Sequence, residues 1–103
     1  MVYGGLMSMN TQRSALSAAL AKQLAAERGA AGLSRAALAK ASDVSAETIQ
    51  RLEKNQREFD TDQIDNLCRA LGVNVMDFML RAHARREAEA KGRQPGQSAA
   101  GQA

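Results

Sequence analysis

The chain has 103 residues, about the size of one domain, and its hydrophobic fraction of 45% includes no Trp, one Tyr and two Phe. Runs of β-branched and aromatic residues typical of strands are absent, so we expect an all-α fold with a core of Leu, Ile, Val and Met. One cysteine excludes an internal disulfide and a cysteine-based zinc site. No apolar stretch approaches the roughly 18 residues that a membrane span needs, so we expect a soluble protein without a membrane partner.

The positive charge is concentrated near the C-terminus. The net charge is +3, yet residues 10–80 hold equal numbers of basic and acidic side chains. The excess lies beyond them, where two glutamates are outnumbered by Arg81, Arg85, Arg86, Lys91 and Arg93. Net charge alone is therefore weak evidence for nucleic-acid binding, and the position of each charge matters more than the sum.

The first predicted helix covers residues 11–28. Three leucines recur every four residues and share one face of it: Leu16, Leu20 and Leu24. Asn10 or Thr11 can cap its start, and two glycines loosen the chain after it. Residues 1–10 lack a positive region followed by an apolar stretch, so we expect a flexible segment without a secretion signal.

The middle of the chain predicts two short helices separated by a tight turn. Ser34 is a favourable N-cap for residues 35–41, and Ser45 is one for residues 46–54. The three residues between these helices suit a turn because Ser and Asp side chains bond to the nearby backbone: Ser42, Asp43 and Val44.

Two more helices follow. Asp60 and Gln63 have the spacing of a capping box, and Gly72 stands where helices usually end. The inward face of this fourth helix holds Ile64, Leu67, Cys68 and Leu71. Asn74 caps the fifth helix, and its inward face holds Val75, Phe78, Met79 and Ala82. The residues from Gly92 onward have no apolar side chain larger than alanine, which predicts disorder.

The spacing across residues 35–54 matches a helix-turn-helix. Each position of the motif holds a suitable residue: an apolar anchor, a small residue where the helices touch, one that tolerates a left-handed turn, and three that pack under the turn and the second helix. They are Leu38, Ala39, Asp43, Val44, Ile49 and Leu52. The motif projects the first turn of its second helix into the DNA major groove. The chain thus divides into a flexible segment at 1–10, a DNA-binding domain at 11–83, and a basic helical extension with a disordered tail at 84–103.

The pattern resembles the phage repressor and Cro helix-turn-helix family, in its compact five-helix, lambda-repressor-like form, over residues 20–79. The residues that carry the resemblance are Gly32, Leu33, Ser34, Leu38, Ala39, Val44, Ser45, Thr48, Ile49, Leu52, Glu53, Leu67, Ala70, Leu71, Gly72, Val73 and Phe78. Asp43 departs from it by replacing the usual turn glycine, and Phe59 stands near a common proline. The resemblance implies a regulator that binds double-stranded DNA without a cofactor, with Arg28 and Glu53 paired as an internal salt bridge.

The resemblance assigns base reading to the exposed side of the second motif helix. This reading face consists of Ala46, Glu47, Gln50 and Arg51. Arg51 can contact a guanine edge with two hydrogen bonds, which discriminates between bases by ~1–3 kcal/mol. Ala46 can touch a thymine methyl group. Glu47 can accept a hydrogen bond from a cytosine amino group, reject wrong sequences, or orient Arg51 from one helical turn away.

Phosphate contacts are implied around the motif: Ser34, Arg35, Lys40, Ser45, Lys54, Asn55 and Arg57. Arg35 begins the first motif helix, so its charge would add to the attraction of that helix's N-terminal amides for an anion. Lys40 can equally face water.

No other feature of the sequence predicts a site. His83 has no second metal ligand at a suitable spacing, and Cys68 lies on a core-facing stripe, where a thiol packs as a small hydrophobe. The acidic residues near position 60 suit a helix N-terminus. We therefore expect no enzymatic activity, no metal and no small-molecule substrate.

A second stripe on the fifth helix predicts a dimer. Met76, Leu80 and His83 lie on a different side from the core-facing residues, and a helix that is apolar on two sides must bury both. We expect a homodimer on a palindromic operator, since such readers commonly bind two half-sites. In the alternative, the basic extension folds back over Met76 and Leu80.

The sequence as a whole predicts a cytoplasmic, nucleoid-associated DNA-binding repressor. Two alternatives stay open: an antitoxin that binds its toxin through the basic tail, and a protein-interaction module that has lost DNA binding. Glu47 on the reading face and the balanced charge of residues 10–80 favour the last of these. Arg35, Arg51 and Lys54 oppose it.

Overall fold

Five α-helices make up the described part of the chain. The computed structural model describes residues 13–92. The helices are α1 (Ala15–Ala31), α2 (Arg35–Ser42), α3 (Ala46–Glu53), α4 (Thr61–Leu71) and α5 (Val75–Gly92). No strand occurs within these residues, and the prediction of an all-α, five-helix bundle is confirmed. The flexible segment predicted at residues 1–10 and the tail predicted after residue 92 lie outside the described residues.

Most helices begin directly after the predicted N-cap residues. The side chains of Ser34, Ser45 and Asp60 each accept a hydrogen bond from the backbone amide three residues on. Both halves of the predicted capping box between Asp60 and Gln63 are present. Asn74 Oδ1 accepts from the amides of the first turn of α5, at 2.8 and 3.2 Å. Local side-chain chemistry therefore sets the starts of α2 to α5.

The prediction for α1 was wrong at both ends. The helix begins at Ala15 behind Ser14, whose hydroxyl accepts from the Ser17 amide at 3.0 Å, instead of behind Asn10 or Thr11. It also continues past residue 28 to Ala31, where Gly32 adopts the left-handed conformation with φ 71°. A glycine takes this conformation without a steric penalty, so the second of the two glycines ends the helix and the first lies within it.

One apolar cluster joins all five helices. Its buried members come from every helix and from the α2–α3 turn: Ala19, Leu20, Leu24, Leu38, Val44, Ile49, Leu52, Leu67, Cys68, Phe78 and Ala82. Burying one large side chain of this kind contributes about 1.5–3 kcal/mol. The cluster includes every anchor predicted for the helix-turn-helix except Ala39, which packs against it, and Asp43 in the turn. Among residues 13–92, no helix is long and apolar enough to cross a membrane.

A polar seam holds α5 along α1. Gln23 and Glu27 are buried on α1 and hydrogen-bonded to each other at 2.7 Å. Arg81 donates to Glu27 Oε2 at 2.7 Å, and Arg85 donates to Gln23 Oε1 at 3.0 Å. Burial tends to raise the pKa of Glu27, but the hydrogen bonds from Arg81 and Gln23 and the nearby positive charges outweigh it, so the pKa lies below its ordinary value.

The basic extension is therefore part of the bundle as far as residue 92. α5 runs through position 83 without a break. Near the end of α5, Glu89 contacts Lys22 on α1, and the Lys22 Nζ and Glu89 Oε2 atoms are 2.6 Å apart. Up to this point the extension does not fold back over Met76 and Leu80, which stay exposed. That alternative is wrong for the described residues, because the extension continues the helix and packs on α1 instead.

Candidate nucleic-acid interface

The turn between α2 and α3 has the geometry that a helix-turn-helix requires. Asp43 is left-handed, with φ 62°, and its amide donates to Ala39 O at 3.0 Å. Ser42 is buried, and its hydroxyl accepts from the Val44 amide at 3.2 Å. Val44 is buried beneath the turn. These contacts thus fix the conformation of the short connection between α2 and α3.

A buried carboxylate ties three helices together. Only 3% of the Glu53 side chain, at the end of α3, is exposed, and Arg28 on α1 donates to it through Nε at 2.6 Å and Nη2 at 3.0 Å. Arg35, at the start of α2, donates Nε to the same carboxylate at 3.0 Å. Burial would raise the pKa of Glu53, but the hydrogen bonds from both arginines and their charges lower it below its ordinary value.

The predicted pair of Arg28 and Glu53 is confirmed, and Arg35 joins it as a third member that the sequence did not reveal. Arg35 uses Nε in this contact, and its two terminal nitrogens have no partner among residues 13–92. The guanidinium is therefore held at one edge and keeps free donors at the other. This arrangement fixes the orientation of α3 and is compatible with the phosphate contact predicted for Arg35.

The outer face of α3 gathers the four predicted base-reading residues. Ile49 and Leu52 are buried on its inner side, and four exposed residues share its outer side: Ala46, Glu47, Gln50 and Arg51. Arg51 Nη2 lies 2.7 Å from Glu47 Oε2, one helical turn away, and both side chains are more than half exposed. The structure therefore contains the pairing in which Glu47 orients Arg51.

Two of the predicted phosphate ligands serve as helix caps. Ser34 Oγ accepts from the Ala37 amide at 3.0 Å. Ser45 Oγ accepts from the Thr48 amide at 3.1 Å and donates to Thr48 Oγ1 at 2.8 Å. The proton of the Ser45 hydroxyl is thus donated inside the protein, whereas Ser34 keeps its own proton for another acceptor.

Unpaired cations cluster around the motif. Most basic side chains of residues 13–92 have an acidic or polar partner within that range. Those without one in the described chain are Lys40, Lys54, Arg57 and Lys91. The first three are exposed and belong to α2, the end of α3 and the loop after it. These are three of the residues predicted to hold phosphate.

The loop after α3 is fixed by a left-handed residue and by contacts to α1. Asn55 has φ 58°, and its Oδ1 accepts from the Ser17 hydroxyl at 3.1 Å. Arg13 Nη2 donates to Gln56 O at 2.9 Å. Sequence reasoning missed Arg13 and Ser17 because these contacts span about forty residues, and no local pattern encodes them.

The predicted dimer residues lie on a different element. Met76 and Leu80 are 66% and 61% exposed, and they are the large hydrophobic side chains that the described chain leaves most open. His83 is exposed as well, with Nδ1 2.8 Å from Arg86 Nη2. α5 packs on α1 and α4, whereas α3 packs on α1 and α2. The structure therefore separates this stripe from the predicted base-reading residues of α3.

Reactive groups elsewhere in the described chain are buried or isolated. Cys68 is in the core, where burial and the charges of Glu27 and Asp65 raise the pKa of its thiol to about 11. The thiol is therefore protonated at neutral pH and packs as a hydrophobe. Residues 13–92 bring together no group of three or more side chains of the kinds that ligate metals.

Comparison with known proteins agrees with this geometry. The sequence model of the family described as "Helix-turn-helix domain" matches residues 19–77, from α1 into the first turn of α5. The chain belongs to this helix-turn-helix family. Since the motif binds DNA, the family and the fold make the chain a DNA-binding transcription regulator. The narrower resemblance to phage repressors and Cro stays a prediction.

Solved structures of one regulator resemble this helix-turn-helix protein. A crystal structure of the clp gene regulator ClgR from Corynebacterium glutamicum is 31% identical, with a TM-score of 0.70 over 73% of this chain and 80% of that one. A second structure of ClgR from the same organism is also 31% identical, with a TM-score of 0.64 over 68% of this chain and 91% of that one. No curated protein sequence matches the chain.

Proposed function

We propose that this helix-turn-helix protein is a sequence-specific transcriptional repressor that binds a palindromic operator as a homodimer. The observation that carries the proposal is the arrangement around α3. Its outer face presents four exposed residues with hydrogen-bonding or apolar ends, and three unpaired cations stand beside it on α2 and after α3. Groove-facing residues read sequence and flanking cations bind phosphates in DNA readers, so this arrangement supports the proposal.

The base contacts follow from the chemistry of the exposed side chains. Arg51 can donate two hydrogen bonds to the O6 and N7 of a guanine, and Gln50 can pair with the N6 and N7 of an adenine. Glu47 holds Arg51 in the free protein, so the guanidinium needs less ordering when DNA binds. Ala46 is small enough for the helix to approach a thymine methyl group closely.

The phosphate contacts are assigned to groups with free donors. Lys40, Lys54 and Arg57 have no protein partner in the described chain, and Arg35 has two unused nitrogens. Each phosphate neutralised by such a group releases counterions, which favours binding at low salt. Repression would follow from occupation of promoter DNA, which needs nothing beyond the binding domain. The ClgR structures support a role in gene regulation because that protein is a gene regulator.

The exposed stripe of Met76 and Leu80 supports the homodimer. Two adjacent large apolar side chains on a helix face water unless a partner covers them. A second copy of the chain is the partner that a palindromic operator requires, since each half-site needs one α3. Because this stripe is on α5, dimerisation leaves the reading face of α3 open.

Selection of bound sequences from random duplex DNA tests the proposal. We expect the chain to enrich one motif with two related halves, and Arg51→Ala to lose the preference for guanine at one position of each half. A matched control is Arg69→Ala, since Arg69 forms the same kind of exposed pair with Asp65 on α4. The control should enrich the wild-type motif. If the wild type enriches no motif at moderate salt, the proposal fails in favour of a protein-interaction module.

A further inference from the structure

The loop that follows α3, residues 54–57, is held by hydrogen bonds to α3 and to the region around the start of α1. The amides of Asn55 and Gln56 donate to Leu52 O at 3.1 Å and to Arg51 O at 2.8 Å. These two bonds close the C-terminus of α3 in a Schellman arrangement, with Asn55 in the left-handed position that glycine usually occupies. The backbone is therefore fixed at Asn55 and Gln56, which lie between the unpaired cations Lys54 and Arg57.

Ser17 on α1 fixes the side chain of the left-handed residue. The Ser17 hydroxyl donates to Asn55 Oδ1 at 3.1 Å, in a partly buried contact. A planar carboxamide held by its oxygen presents its nitrogen on the opposite side. The Asn55 nitrogen has no partner in the described chain, so two donors of this residue remain for a phosphate.

Arg13, just before α1, fixes the backbone of the same loop. Its Nη2 donates to Gln56 O at 2.9 Å, and only 25% of its side chain is exposed. The family match begins at residue 19, so both Arg13 and Ser17 precede it. Both contacts to the loop thus come from residues outside the matched range.

We propose that Arg13 and Ser17 are positioning residues that hold the 54–57 loop for phosphate binding by Lys54, Asn55 and Arg57. The inference rests on the proposed function, since it assigns a role within the same interface. Ordering a loop upon binding costs conformational entropy. The anchors remove much of that cost in the free protein, because they fix the loop before DNA arrives.

The first test is the neutral substitution Ser17→Ala, measured by binding of a mixed-sequence DNA duplex across a range of KCl concentrations. Removing one hydrogen bond that orders the site should weaken binding about three- to tenfold at low salt. The slope of log K against log salt should become shallower by about 0.9 for each phosphate that the loop no longer neutralises. Ser17→Thr keeps the hydroxyl and should restore both values.

The melting temperature separates positioning from general stability. Alanine favours helices more than serine does, so we expect Ser17→Ala to melt close to the wild type. Reduced affinity with an unchanged melting temperature supports the inference. Wild-type affinity and slope in Ser17→Ala would overturn it.

A double-mutant cycle shows whether Ser17 acts through the loop cations. In a background with both Lys54→Gln and Arg57→Gln, the additional Ser17→Ala change should have much less effect than in the wild type, because the groups it positions are gone. A full effect in that background would mean that Ser17 acts by another route, and it would overturn the inference.

Arg13 is tested against an arginine of equal charge elsewhere. Arg13→Met and Arg69→Met each remove one positive charge, but only Arg13 contacts the loop. We expect the larger decrease in slope in Arg13→Met, and equal decreases would overturn the role of Arg13.

If the wild-type protein binds no duplex, the proposed function fails and the inference fails with it. If it binds normally in every variant, the inference alone fails.

Discussion

Asp43 and Asn55 are the non-glycine residues with positive φ in the described chain, and each stands at one end of α3. Asp43 closes the turn that leads into the helix, and Asn55 closes the turn that leaves it. Aspartate and asparagine visit the left-handed region more readily than other non-glycine residues. The orientation of α3, the proposed reading helix, therefore depends on two short polar side chains at positions where most residues would be strained.

Substitution of Asp43 measures that strain. We expect Asp43→Gly to stabilise the fold and Asp43→Ala to destabilise it, with about 1–2 kcal/mol between the two variants, because alanine has the Cβ clash without a polar group to compensate for it. Both variants lack the same carboxylate, so their difference is independent of charge. Urea unfolding followed by circular dichroism gives the two free energies of unfolding. Equal stabilities would show that the turn carries no left-handed strain.

Glu53 should make the stability of the fold sensitive to acid. Its folded pKa lies below the ordinary value of about 4.5, so the carboxylate stabilises the fold above that pH. This contribution is lost as the pH falls through the lower, folded pKa. Glu53→Gln should cost roughly 2–3 kcal/mol at neutral pH, because two arginines lose a charged acceptor.

The same variant should also lose part of the acid dependence. Urea unfolding at a series of pH values is expected to give a flatter curve for Glu53→Gln than for the wild type below about pH 4.5. Glu27, whose pKa is also lowered, should keep part of the acid dependence in this variant. Parallel curves would contradict the assignment of the acid dependence to Glu53.

At the scale of whole helices, the sequence predicted the elements whose boundaries are set by adjacent residues. Ser34, Ser45 and Asp60 begin helices because each side chain bonds an amide three residues on, which a sequence pattern can show. The start of α1 was missed because several polar residues near position 10 are equally able to cap. The choice of Ser14 among them depends on where the helix meets the core.

The candidate site could likewise be predicted where a local pattern defines it, and not where distant segments meet. The exposed face of α3 follows from its periodicity, and the four predicted base-reading residues lie on that face. The contact of Arg35 with Glu53 and the contacts of Arg13 and Ser17 with the 54–57 loop could not be predicted. They join segments that only the packed bundle brings together, so neither spacing nor composition encodes them.

The capping box of α4 gives a prediction at this scale. Asp60→Ala should lower the free energy of unfolding by about 1 kcal/mol, since it leaves the Gln63 amide without its partner. Asp60→Asn keeps an acceptor at the same position and should stay near the wild type. Urea unfolding distinguishes the two. A similar loss of stability in both variants would indicate that the charge, and not the cap, stabilises the helix.

For the molecule as a whole, α1 is the helix that contacts both helices carrying a candidate binding surface. It packs against α3, which carries the proposed reading face, and against α5, which carries the exposed stripe of Met76 and Leu80. The buried contacts of Glu27 and Gln23 hold α5 to it. The two surfaces thus have a fixed relation, which two half-sites of an operator would require of a dimer.

Charge placed on the stripe should therefore separate the subunits of the proposed homodimer without unfolding them. We expect Met76→Glu with Leu80→Glu to change a dimer of twice 11.0 kDa into a monomer in light scattering, because two carboxylates would be buried against their copies. The variant should still bind a single half-site, since α3 is untouched, but lose most of its affinity for the palindrome. Ala26→Glu with Ala30→Glu adds the same charges to an exposed face of α1 and should remain dimeric. A wild-type protein that is monomeric while bound to its full operator would contradict the dimer, and so would a stripe variant that keeps the wild-type mass.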